Sequence, residues 1–140
     1  MNYLLDTNVL SEFRKSSTGK IDSRVKSWAE AVPDLYLYLS AVTVFEIEVG
    51  VLLKERRDRF QGRLLRTLME EYVLRGFAGR ILPFDAEIAQ RCAVLHVPNP
   101  RPERDAMIAA TALVYGMTVV TRHVADFETA GIPVLNPWLA

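Results

Sequence analysis

The sequence predicts a three-layer α/β/α protein built on a parallel sheet of about four or five strands. Short apolar runs alternate with longer segments of helical periodicity along the whole chain. The runs Tyr3 to Leu5 and Met117 to Thr121 read as buried strands rather than half-exposed ones. Strands joined by helices cross over right-handedly, which covers both faces of a parallel sheet. Any site then belongs at the carboxyl ends of the strands.

Tyr3 to Leu5 is the first expected strand. Asp6, Thr7 or Asn8 suits the cap of a helix from Thr7 to Lys15. The polar, Gly-containing stretch Ser16 to Lys20 is a loop, and a second helix runs from Asp22 to Ala31 and stops before Pro33. Leu35 to Leu39 reads as the second strand, because Leu and Tyr suit a pleated buried surface, and Ser40 caps a helix reaching Lys54. Helical periodicity fills Asp58 to Phe77, Ile81 to Phe84 is a short strand, and Asp85 to His96 is helical. Pro98, Pro100 and Pro102 force a break. Glu103 to Tyr115 is then a helix ended by Gly116, Met117 to Thr121 a strand, Ala125 to Gly131 a turn, and Val134 to Leu135 a last short strand.

No repeat, linker or low-complexity tract interrupts the 140 residues, so one domain covering 1–140 is expected. With 50% hydrophobic and 24% charged residues the chain has the composition of a soluble globular protein, and disorder is excluded. Cys92, the one cysteine, falls on an apolar helical face with Ile88 and Leu95 and reads as a small core residue. Nothing resembles a secretory leader or a membrane span, and a cytoplasmic location with no membrane partner is expected. Lysine plus arginine and aspartate plus glutamate both number 17, so any case for nucleic-acid binding rests on placement. The cations Lys54, Arg56, Arg57, Arg59, Arg63 and Arg66 form one run, which suits phosphates and equally suits a solvated helix face.

Four carboxylates carry the chemical expectation. Asp6 ends the first strand, Glu46 lies in the second turn of the helix after the second strand, Asp105 begins a late helix, and Asp126 follows the strand ending at Thr121. In a parallel sheet all four fall near one rim, where they repel one another and raise each other's pKa unless cations intervene. Hard Mg²⁺ or Mn²⁺ ions bind such oxygens and bridge to phosphates, so a phosphoester substrate follows. Plainer roles exist: Asp6 as a cap, Asp105 as an anion at a helix start, Asp126 in a turn. Glu46 has a weaker plain role, because it shares a stripe with Thr43 and Gly50 between two apolar flanks and needs a compensating partner. Glu48 and Glu55 lie on another stripe, where solvation suffices.

The segments LLDTNVLSE (Leu4 to Glu12), LSAVTVFEIEVG (Leu39 to Gly50), RDAMIAATAL (Arg104 to Leu113) and VVTRHVADF with VLNPW resemble, in that order, a VapC-type PIN-domain toxin of the FitB-like subgroup. The resemblance implies a PIN-like fold and a catalytic set of Asp6, Glu46, Asp105 and Asp126. It also implies metal held by Asp6, Asp105 and Asp126, with Asn8 and Thr121 in support. Where such proteins usually read Thr-Arg-Asn, this chain has Thr121, Arg122 and His123. His123 is open to three readings: a ligand, a phosphate contact or a tolerated substitution. The implied activity is Mg²⁺- or Mn²⁺-dependent hydrolysis of RNA by metal-activated water, with Glu46 orienting that water or binding a second ion. The implied partners are a second copy of the chain and a cognate VapB-type antitoxin whose C-terminal segment covers the site, with operator DNA reached only through the antitoxin. A non-catalytic dimer that holds its antitoxin on operator DNA is the competing expectation. A receiver domain or a dehalogenase-type phosphatase would need another acid beside Asp6 and a late lysine, and no lysine follows Lys54. Gly-rich nucleotide loops are also missing.

Overall fold

The computed structural model describes residues 1–140. Its five strands are β1 (Tyr3–Leu5), β2 (Leu37–Ser40), β3 (Ile81–Leu82), β4 (Thr118–Val120) and β5 (Val134–Leu135). They lie in the order β3-β2-β1-β4-β5, every neighbour parallel, with Leu4 opposite Tyr38 on one side and Val119 on the other. The helices are α1 (Thr7–Phe13), α2 (Ser23–Ala31), α3 (Ala41–Arg57), α4 (Arg59–Leu68), α5 (Ala86–Leu95), α6 (Glu103–Tyr115) and α7 (Val124–Glu128).

Successive strand residues point to opposite faces, and each face builds its own core. Leu5 and Val120 face α1, α2 and the later part of α3 through Val9, Val25 and Val51, together with Met69, Val73 and Trp138. Leu4 and Val119 face α6 and α7 through Ile108, Ala109, Ala112 and Phe127. The alanines let α6 lie close to the sheet, while α5 packs against α6 through Ile88, Cys92, Ala106 and Ala110. Helix α3 joins the two faces: Val42 belongs to the second core and Val51 to the first. The result is the expected three-layer α/β/α arrangement. No helix is long and apolar enough to cross a membrane.

Several boundaries differ from the sequence expectation for local reasons. The first helix tightens into a 3-10 turn over Arg14–Thr18 and ends at Gly19, whose φ of 71° favours glycine. After Pro33 a short 3-10 turn over Asp34–Tyr36 delays the second strand to Leu37. Ser40 caps α3 by accepting from the Val42 N–H at 3.0 Å. Helix α3 continues to Arg57, and Asp58 then caps α4 through the Phe60 and Gln61 N–H groups, both at 3.1 Å. Asp58 therefore turns one long helical stretch into a hairpin, whose second arm continues as a π-helical segment over Met69–Arg75. Glu48 and Glu55 are not a merely solvated stripe. Both pair with Arg66 across the hairpin, Glu48 at 2.7 and 2.8 Å and Glu55 at 3.0 and 3.2 Å. Around Asp126 the expected turn begins as helix α7, which anchors Phe127 in the second core.

Candidate active site

The strand order reverses direction between β1 and β4, and in a parallel sheet that switch point opens a crevice at the carboxyl ends. Asp6 follows β1 there and Thr121 follows β4. Asp6 is only 6% exposed, and every oxygen it carries is engaged. Its Oδ1 accepts from the Thr7 N–H at 2.8 Å, which caps α1. Its Oδ2 accepts from Thr121 Oγ1 at 2.8 Å and Asn8 Nδ2 at 3.0 Å. Thr121 accepts in turn from the His123 N–H at 3.0 Å, and Asn8 Oδ1 accepts from the Arg122 N–H at 3.2 Å. These bonds sew the ends of β1 and β4 together around one carboxylate. Burial pushes the Asp6 carboxyl above its ordinary pKa; the hydrogen bonds from Thr121 and Thr7 pull it down, and the charge of Glu46 adds to the rise.

Glu46 reaches the same edge from the second turn of α3. Thr7 Oγ1 donates to its Oε1 at 2.8 Å, and Arg104 Nη1 lies 3.4 Å from its Oε2. The compensating partner required by its apolar flanks is thus a hydroxyl supplemented by an exposed guanidinium. Asp105, in the first turn of α6, is half-buried and accepts no hydrogen bond from a protein donor. Its pKa is raised to about 6, first by burial and then by the charges of Asp6, Asp126 and Glu46, with His123 opposing. Asp126 lies in the first turn of α7, with its Oδ2 3.9 Å from His123 Nδ1, too long for a hydrogen bond.

The structure therefore brings Asp6, Asn8 and Thr121 into direct contact and links Glu46 to them through Thr7. Asp105 and Asp126 join the group through their fields rather than through contact. No three acidic, histidine or cysteine side chains stand close enough to grip one ion between them. The donor chemistry nevertheless fits a hard divalent cation, since Asp105 feels the charges of Asp6, Asp126 and Glu46 and has no internal partner, and Mg²⁺ is commonly held by one or two carboxylates with water filling its other positions. Two residues outside the sequence-predicted set belong to the site. The sequence marks Thr7 only as a candidate cap, although its place between Asp6 and Asn8 puts it at the right edge. Arg104 was visible only as the neighbour of Asp105.

A groove of about 880 Å³ opens beside this edge, bounded by α1, α2, α3, α4 and the π segment. Thr7 and Glu46 form its end nearest the acids, and Leu10, Ile47, Leu65, Leu68, Tyr72 and Phe77 give it an apolar wall.

The sequence model of the PIN domain matches residues 3–127. VapC ribonuclease Y4jK of Sinorhizobium fredii is 39% identical over 143 aligned residues, covering 96% of each chain. A chain in the crystal structure of FitAcB from Neisseria gonorrhoeae aligns with a TM-score of 0.88 at 36% identity, over 99% of both chains. A chain in the structure of FitAB bound to an IR36 DNA fragment aligns at 0.82 with 37% identity, over 97% of this chain and 95% of that one. Matched along nearly its whole length by such relatives, and with the α/β/α layers and the acid-lined switch point already described, the chain belongs to the PIN-domain family and is closely related to the VapC- and FitB-type toxins of toxin–antitoxin pairs.

Proposed function

We propose that this protein is a metal-dependent endoribonuclease serving as the toxin of a VapBC-type pair. The observation that carries the reading is Asp105, a partnerless carboxylate facing the charges of Asp6, Asp126 and Glu46, with its pKa raised to about 6. Such a charge excess is relieved by a divalent cation, whose remaining positions can take a phosphodiester oxygen, and the ribonuclease named among the relatives points the same way. Asp6, Asp105 and Asp126 would hold Mg²⁺ or Mn²⁺, which when bound supplies an activated water nucleophile and neutralises charge on the leaving oxygen.

The chain's own residues prepare that chemistry. Thr121 and Asn8 hold Asp6 Oδ2 in one orientation, so its geometry costs nothing to organise when substrate arrives. Thr7 fixes Glu46 Oε1, leaving Oε2 as the less engaged oxygen to accept a proton from the attacking water. The apolar groove ending at Thr7 and Glu46 suits the C-terminal segment of a VapB-type antitoxin, whose basic side chain would pair with the acids. Operator DNA would be engaged through that antitoxin, and the exposed Leu52 and Leu53 of α3 suit contact with a second copy in a homodimer.

Growth of cells induced to express the chain without an antitoxin tests the reading. Wild type should arrest growth, whereas Asp6→Asn and Asp105→Asn should accumulate as folded protein and permit growth. Arrest by both variants would contradict a carboxylate-dependent nuclease.

A further inference from the structure

Three arginines lie over aromatic rings. Arg80 is 4.9 Å from the Phe77 centroid, Arg104 is 5.0 Å from Phe45, and Arg122 is 5.1 Å from Trp138. They differ in what their N–H groups do. Arg80 spends its donors on the carbonyl oxygens of Asp34, Leu37 and Gly76, so it is a structural tie. Arg66 and Arg101 are likewise consumed, the first by Glu48 and Glu55, the second by Leu95 and Thr129.

Arg104 and Arg122 stand apart from these. The guanidinium of Arg122 donates to no protein acceptor, and its residue's one side-chain-linked bond is from its backbone N–H to Asn8. Arg104 makes a single long contact, 3.4 Å, with Glu46, and its side chain is 50% exposed. Stacking uses the face of a guanidinium and leaves its edge free, with the donors arranged as a fork that matches a phosphate. The ring beneath also limits the rotamers the side chain must surrender on binding. Both residues are bonded into the acid cluster, Arg104 at Glu46 and Arg122 through Asn8 to Asp6. A bare cluster of acids repels the polyanion that the proposed reaction needs, and these are the two cations attached to it with spare donors.

We infer that Arg104 and Arg122 form a two-point clamp for backbone phosphates of single-stranded RNA beside the acid cluster. The inference rests on the nuclease reading and extends it to how substrate is held. Phe45 and Trp138 act as platforms that present the two forks. Contacts of this kind position the strand without reading its bases, so their loss weakens binding alike for different sequences.

Steady-state cleavage of a fluorophore-labelled single-stranded RNA by the full chain with Mn²⁺, repeated over a series of salt concentrations, tests the clamp. Arg104→Gln and Arg122→Gln should each raise KM by roughly threefold to tenfold with a smaller change in kcat. Each should also flatten the plot of log(kcat/KM) against log[salt] by about 0.7, the value for one phosphate contact on a single strand. Arg104→Lys and Arg122→Lys keep the charge and should restore the slope, which a merely structural role would not predict. Arg91→Gln, at an exposed position on α5, should leave slope and KM unchanged. Wild-type cleavage with unaltered slopes in both glutamine variants would overturn the clamp while sparing the nuclease. A folded wild type that neither cleaves nor binds the RNA would overturn both.

Discussion

Asp105 shows how a single side chain reports the purpose of its surroundings. A carboxyl that only favoured a helix start would have a lowered pKa, because the macrodipole stabilises its charge. Here burial and three neighbouring acids outweigh that effect and lift it from 3.8 to about 6. The folded state therefore holds the Asp105 proton more tightly than the unfolded state does. The resulting destabilisation is absent below pH 3.8 and grows until the pH passes about 6. Metal-free protein should accordingly be more stable at pH 5 than at pH 7 with respect to this group, and Asp6, also raised, acts in the same direction. Asp105→Asn should stabilise the metal-free protein at pH 7 by about 1 kcal/mol, after allowance for screening at a half-buried site, and should shrink the pH 5 to pH 7 difference. Urea unfolding in EDTA at the two pH values measures both, and a destabilising Asp105→Asn at pH 7 would show that the repulsion is already compensated. The convergence of the four acids was legible because strand ends and helix starts in a parallel sheet share one rim. The roles of Thr7 and Arg104 were not, since hydroxyl and guanidinium directions depend on packing that no spacing reveals.

The α3–α4 hairpin illustrates the same limit at the scale of an element. Helical periodicity on both sides of Asp58 was plain in the sequence, yet the fold needs two antiparallel arms held by Arg66. Gly62 allows their approach: a Cβ there would lie 2.6 Å from Glu55 Cα and 2.8 Å from its Cγ. Alanine in a helix ordinarily gains about 1 kcal/mol over glycine, but a backbone overlap of this size must separate the arms. Gly62→Ala should therefore lower unfolding stability by about 2 kcal/mol, measured by chemical denaturation; a gain in stability would mean that the arms move apart freely. The π segment over Met69–Arg75 and helix α7 were also hidden in the sequence. The first keeps the same apolar residues as an α-helix would, so periodicity cannot distinguish them. The second is only five residues long, and Phe127 in the core, rather than helix propensity, holds it in place.

For the whole molecule, the order β3-β2-β1-β4-β5 puts β1 between the strands on which the rest of the site depends. Asp6 is central for that topological reason. Both cores contribute: Leu4 and Leu5 lock β1 from opposite faces, α6 of one layer carries Asp105, and α3 brings Glu46 to the edge while bridging the two layers. Parallel order and two covered faces were readable from alternating elements and apolar strands, whereas the order of the strands was not, because β2 and β4 could flank β1 or each other on sequence evidence alone. Cleavage of RNA at this edge once a divalent ion joins it is open to a direct test. Purified protein free of antitoxin, incubated with total cellular RNA and Mg²⁺ or Mn²⁺, should yield discrete fragments that disappear in EDTA and with Asp6→Asn. Equal inertness of folded wild type and Asp6→Asn across several RNA classes would contradict such cleavage and favour a non-catalytic partner that holds its antitoxin on operator DNA.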